Sequence, residues 1–168
     1  GIKSYTNTYV TYFTMIASLG TVEYGTREIA RVRDDPLKLS STFWEIEILT
    51  LFSTLVSIVG WIFLASFYKE YSFYLWIWTI QIVGTMFNVS WFFVGIEKLK
   101  YTLSVNFVIK ILSFVLTFLF VKNVDDTWIY ILILATSSFL GFLSTWIFLP
   151  KFLVRCRPNL HDVFTRHL

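Results

Sequence analysis

The chain has 168 residues, of which 56% are hydrophobic, 20% aromatic and 15% charged, against roughly 25% charged residues in an average soluble domain. Its mean hydropathy is +0.66 and its formal charge +3; the basic residues sit between apolar runs and build no continuous basic face, which excludes nucleic acid as a partner and points to a lipid bilayer. A single cysteine, Cys156, permits no internal disulfide or cysteine metal cluster, and His161 and His167 lie six apart rather than at helical ligand spacing, so neither a metal nor another cofactor is expected.

No charged residue falls between Lys3 and Glu23, Glu47 and Lys69, Glu70 and Glu97, or Asp126 and Lys151; between Lys100 and Lys122 only Lys110 is charged. Each gap is close to the roughly 17–25 residues a helix needs to cross the hydrocarbon core. Five spans are therefore predicted, at 4–23, 43–67, 71–94, 101–121 and 128–149, the first being the least apolar. The fold class is an all-α integral membrane bundle. Segment 25–40 reads as a loop. Asp35-Pro36 reads as a helix start with proline in the first turn. Asp125-Asp126 before Thr127-Trp128 reads as another, at a membrane surface.

Loop 25–40 holds Arg27, Arg31, Arg33 and Lys38, loop 95–100 holds Lys98 and Lys100, and the tail holds Lys151, Arg155, Arg157 and Arg166. The opposite side has Lys3, Lys69 and Lys122 beside Glu70, Asp125 and Asp126. Short basic loops stay in the cytoplasm, so Gly1, the turn 67–71 and segment 122–127 are predicted to face outward. An outward start without a preceding signal leads to the expectation of at least one further span upstream.

Polar and small residues fall on one stripe of each span at helical spacing. In the first span the stripe includes Asn7, Thr11, Thr14 and Ser18; in the second, Glu47, Thr50, Ser53, Thr54, Ser57 and Gly60; in the third, Gln81, Gly84, Thr85 and Asn88. In the fourth it is Asn106, Lys110, Ser113 and Thr117, opposite an apolar face of Phe107, Ile111, Phe114 and Phe118; in the fifth, Ser137, Gly141 and Ser144. Small residues and hydroxyls serve helix packing, which suffices for the fifth span. Gln81, Asn88, Asn106 and Lys110 are too long for a packing seam and suit a water-filled path.

Several stretches carry a family resemblance: residues 1–7 leading into the first span, Tyr24-Gly25-Thr26-Arg27-Glu28-Ile29-Ala30, Arg33-Asp34-Asp35, Ser41-Thr42-Phe43-Trp44-Glu45, Asn88 to Lys100, and Leu149-Pro150-Lys151. The chain resembles the polysaccharide transporter family of bacterial O-antigen and repeat-unit flippases, within the superfamily that includes multidrug extrusion (MATE-like) transporters. It departs where relatives often carry an acidic residue, at Asn88, and where they often read Gly-Leu-Glu-Asp-Phe-Lys, at Gly95-Ile96-Glu97-Lys98-Leu99-Lys100. The resemblance implies one lobe of a two-lobed protein, with residues 1–168 as part of the N-terminal lobe. It also implies translocation of an undecaprenyl-pyrophosphate-linked oligosaccharide, alongside polysaccharide polymerase and glycosyltransferases. The expected substrate-binding residues are Lys110, Asn106, Asn88, Gln81, Arg27 and Asn7.

Lys110 stands at mid-span, where a charge costs about 2.5–3.5 kcal/mol even on the lenient insertion scale, so it is expected to be a cavity cation. Arg27 either anchors to headgroups or meets the pyrophosphate bidentately. Glu97, Lys98 and Lys100 read as a solvated loop or, with Gly95, as a hinge. Two rivals are weighed. An enzyme would need a carboxylate pair, metal site or catalytic loop at usable spacing, and the adjacent acids here are helix starts. A drug or cation antiporter of the same superfamily would want an intramembrane carboxylate, whereas Glu45 and Glu47 lie near the inner boundary.

Overall fold

The computed structural model describes residues 2–18 and 20–156, with the side chains of Ile2 and Lys3 excepted; Arg157, His161, Arg166 and His167 fall outside the described residues. Among the described residues there is no strand. The helices are α1 (Ile2–Ser18), α2 (Thr21–Val32), α3 (Pro36–Phe67), α4 (Ser72–Thr85), α5 (Ser90–Gly95), α6 (Lys100–Phe120) and α7 (Thr127–Thr145), with 3-10 turns at Val124–Asp126 and Trp146–Lys151. Four segments are long and apolar enough to cross a membrane: Pro36–Phe67, Ser72–Gly95, Lys100–Phe120 and Val124–Lys151. The chain is a multi-pass membrane protein. α1, with 17 residues, packs against both α3 and α4.

The expected alternation of ends is reproduced in space. At one end Tyr5 of α1 meets Tyr71, Tyr9 meets Tyr68, and Phe73 meets Trp128 at the start of α7. Such an aromatic belt marks a membrane–water boundary. At the other end Arg33 pairs with Glu97, the Val154 amide donates to Ser40 Oγ at 2.9 Å, and Phe152 packs on Phe93 and Tyr101. That second end carries Arg27, Arg31, Arg33, Lys38, Lys98, Lys100, Lys151 and Arg155.

Local chemistry sets most boundaries. Asp35 caps α3, its carboxylate accepting from the Leu37 and Lys38 amides at 3.2 Å each, with Pro36 at the first position, where its missing N–H costs nothing. At the start of the final span the Asp126 carboxylate accepts from the Lys122 and Asn123 amides at 2.9 Å each. Both helix starts agree with the sequence reading. The capping bonds hold the Asp35 carboxyl below the usual carboxylate range.

Three boundaries differ from expectation. The first helix ends at Ser18, not near residue 23, because Gly20 takes φ 71°, a left-handed turn that glycine adopts without steric cost. The segment read as a loop, 25–40, is helical through Val32 and again from Pro36. Its charges hid an amphipathic helix: Thr21, Gly25 and Ile29 are buried at four-residue spacing, while Arg27 and Arg31 face out. α2 docks on α5 at glycine-limited distance. A Cβ at Gly25 would lie 2.7 Å from the Trp91 ring, and one at Gly95 2.6 Å from Ile29 Cγ2. Gly95 is a packing contact between α2 and α5.

The third difference is a break in the expected span 71–94. α4 tightens after Thr85: the Met86, Phe87 and Asn88 amides donate to carbonyls three residues back, and Val89 to Phe87. Asn88 Oδ1 then accepts from the Ser90 amide at 3.2 Å and the Ser90 hydroxyl at 2.7 Å, starting α5. The 14 residues of α4 span about 21 Å, so the break lies within the roughly 30 Å core. Non-helical backbone at that depth needs internal partners. Trp146 provides one, its indole N–H donating to the Phe87 carbonyl at 2.9 Å.

Two apolar cores lie at opposite ends. One, at the end of the Tyr5–Tyr71 contact, groups Val10, Trp61, Ala65, Leu75, Trp78, Ile82, Ile131 and Ala135; its indoles donate to Thr79 from Trp61 and to Thr6 from Trp78, at 3.0 Å each. The other, at the arginine-rich end, groups Ile29, Leu39, Phe43, Ile46, Val89, Trp91, Phe92, Phe93 and Leu149. Thr50, Thr85 and Asn88 lie between them along the chain.

Candidate functional site

The α3 stripe is closed by packing. Ser53 Oγ donates to the Ala17 carbonyl at 2.5 Å and Ser57 Oγ to the Phe13 carbonyl at 2.7 Å. Both serines are 2% exposed. These hydroxyls tie α3 to α1 and leave nothing for a ligand.

The facing stripes remain open. A cavity of about 320 Å³ is lined by the polar residues Thr11, Thr14 and Ser18 of α1, Thr21 of α2, Thr50 of α3, Gln81 and Thr85 of α4 and Asn88 at the break, and by the apolar Met15, Val22 and Phe142. None of its lining residues is charged. The Thr11, Thr14, Ser18, Thr50 and Thr85 hydroxyls each donate to a carbonyl three or four residues back in their own helix. With its proton so engaged, each oxygen presents lone pairs, and the Gln81 and Asn88 amides bring N–H donors. The lining is uncharged, acceptor-rich and supplied with a few donors, a surface matched to a hydroxyl-rich ligand. The break that seats Asn88 had no sequence signal of its own.

Lys110 and Asn106 occupy a second cavity, also about 320 Å³, between α6 and α7, with Ser113, Ser137, Ser138, Gly141 and again Phe142 in its wall. Gly141 lies in its wall, where a Cβ would stand at ordinary contact distance, 3.6 Å from Asn106 Oδ1 and 4.0 Å from Ile109 Cγ2. Lys110 forms no ion pair among the described residues. Asn106 and Lys110 are themselves exposed, Thr102 is the one buried residue of α6, and Phe107, Phe114 and Phe118 point outward as a lipid face.

The structure thus groups Gln81 with Asn88 and Asn106 with Lys110, on two sides of Phe142. Arg27 joins neither pair. It lines a polar cleft between α2 and α3 with Tyr24, Glu28, Arg31, Thr42 and Glu45; Glu28 faces both guanidiniums, at 3.8 Å from Arg27 and 2.8 Å from Arg31. Asn7 is half-buried on α1 and is absent from the walls of these three cavities; its carbonyl accepts from Thr11.

One further residue stands out. Glu47, on the buried face of α3, is 1% exposed, and neither carboxyl oxygen has a hydrogen-bond partner; the indole N–H of Trp91 is likewise buried and unpartnered. Such groups cost about 1–3 kcal/mol each. Glu47 is one turn from Phe43, whose ring stacks on Trp91 at 5.5 Å, and three residues from Thr50 of the uncharged cavity.

A family model described as polysaccharide biosynthesis protein matches residues 1–166. The chain is 28% identical over 121 residues to a protein of Escherichia coli (strain K12) described as "Putative O-antigen transporter"; the match covers 67% of this chain and 29% of that protein. The chain therefore spans under a third of that relative's length. No solved structure matches it significantly.

Proposed function

We propose that this chain, which belongs to the polysaccharide biosynthesis protein family, is part of a flippase. It moves an undecaprenyl-pyrophosphate-linked oligosaccharide from the inner to the outer leaflet of the bacterial cytoplasmic membrane, for cell-surface polysaccharide. The observation that carries this reading is the pairing of two unlike cavities across one side chain. An uncharged cavity lined by hydroxyls and amides suits saccharide, and the neighbouring groove holds a mid-span lysine beside Asn106. A charge at that depth is retained where it faces water or a ligand, and the anionic pyrophosphate is the complement Lys110 attracts.

In this reading Gln81 and Asn88 bind sugar hydroxyls, and Asn106 and Lys110 hold the phosphates. Arg27, at the inner end and braced by Glu28, meets the headgroup as it arrives, and Asn7 acts from outside these cavities. The exposed apolar face of α6 lies beside the Lys110 groove, where a polyprenyl tail can remain in lipid. The work is transport, with no bond made or broken, and the polymerase and glycosyltransferases that make and use the substrate are its functional neighbours.

The antiporter reading has one observation in its favour, the unpartnered Glu47. It leaves Lys110 and the sugar-like lining without a role, and a groove cation repels a cationic cargo. Deletion of the gene, followed by analysis of lipid-linked intermediates on each leaflet, tests the proposal. Undecaprenyl-linked repeat units should accumulate on the cytoplasmic leaflet and return to normal when the gene is restored. A normal leaflet distribution in the deletion strain sinks it.

A further inference from the structure

We infer that Phe142 reads the sugar joined directly to the pyrophosphate; this rests on the flippase reading above. Phe142 is half-buried on α7 and lines both the uncharged cavity and the Lys110 groove. The other α7 phenylalanine nearby, Phe139, is held in the helix contact, its Cα 3.2 Å from where a Cβ on Gly84 would stand and its ring edge-on to Phe87. Phe142 instead lines the two cavities, next to Gly141 and in the same groove wall as Asn106.

The covalent order of the substrate decides what passes this ring. It runs lipid, pyrophosphate, first sugar, remaining sugars. With the phosphates at Lys110 and the saccharide at Gln81 and Asn88, the first sugar occupies the crossing point, against Phe142. An aromatic ring there offers a flat apolar wall to the C–H face of a pyranose, while amides on either side take its hydroxyl edges. A wall of this kind discriminates by shape: an added or inverted ring substituent changes the face that lies against the aromatic ring.

The test uses the whole protein as its gene encodes it, in cells lacking the native copy. It compares two lipid-linked substrates that differ only in the sugar attached to pyrophosphate, and a third that differs only at the far end of the glycan. Phe142→Ala, at matched membrane level, should reduce discrimination between the first two by about tenfold, the scale of one shape contact in a pocket. Discrimination at the far end should stay at the wild-type value, and Phe142→Tyr should keep most of the first-sugar preference. Phe142→Leu serves as the second variant should Phe142→Ala fail to reach the membrane. Unchanged first-sugar discrimination in the tested variant overturns the assignment, as does equal loss of discrimination at both ends or loss of transport of every substrate. Lys110→Ala runs alongside: if it blocks transport while Phe142 variants discriminate normally, only the role of Phe142 falls. If Lys110→Ala transports at the wild-type rate, the flippase site itself has been misplaced.

Discussion

Thr11, Thr14 and Ser18 on α1 and Ser53 and Ser57 on α3 are similar side chains on two helices in contact, with opposite fates. The α3 serines donate across the interface to α1 carbonyls, which holds the backbones close and shuts out any ligand. The α1 hydroxyls donate to their own preceding turns, which leaves their oxygens facing the cavity. Ser53 also donates to the Thr50 carbonyl of its own helix, so the added bond across the interface and the burial that goes with it, more than residue type, separate a packing seam from a binding wall. Length matters as well: Gln81 and Lys110 project beyond the surface on which serine and glycine seat a neighbouring helix.

The strongest way to break this contrast is at its charged end. Lys110→Ala, at matched membrane level, should abolish most transport, and Lys110→Arg should retain part of it; wild-type transport by Lys110→Ala would remove the distinction between an open groove and a seam. Next come two leucine replacements with opposite expected readouts. Gln81→Leu should lower transport about tenfold, the worth of one ligand hydrogen bond of roughly 1.4 kcal/mol, with little change in thermal stability. Ser57→Leu should instead destabilise the protein by about 1–3 kcal/mol through overpacking against α1, read as a lower melting temperature in detergent.

Thiol labelling sharpens the comparison further. In a Cys156→Ser background, a cysteine at Thr14 should react with a small water-soluble thiol reagent and one at Ser57 should not; equal reactivity would mean that the α3 seam is open. The smallest effect is expected from Ser57→Ala, which removes one interhelical bond worth about 0.6 kcal/mol and should leave transport intact.

Much of the fold was readable because its signals are local. Asp35-Pro36 and Asp126 marked helix starts through capping chemistry, and the charge-free gaps located α3, α6 and α7. The break after Thr85 was not readable: the stretch Thr85-Met86-Phe87-Asn88-Val89 holds neither proline nor glycine, and its stability comes from Trp146, which is 59 residues away. α2 was mistaken for a loop because arginines signal a cytoplasmic surface whether or not the backbone is helical, and its buried Gly25 gains meaning only against Trp91. For the site, side-chain length singled out Gln81, Asn88, Asn106 and Lys110, and the structure lines two cavities with them. Their division into two cavities was out of reach, because it depends on which helices are neighbours, and Phe142 looked like any other apolar residue in a span. Glu47 was visible as a charge near the boundary, but its lack of a partner is a property of the packed bundle.

The hydrogen bond from the Trp146 indole to the Phe87 carbonyl has a mechanical consequence. Donor and acceptor belong to different segments: the break between α4 and α5, and the turn that follows α7. If α7 slides without the break, a carbonyl is left bare in hydrocarbon, at a cost of several kcal/mol. The bond therefore favours movement of the two segments together, and it joins the helix that carries Phe142 and Gly141 to the break that carries Asn88.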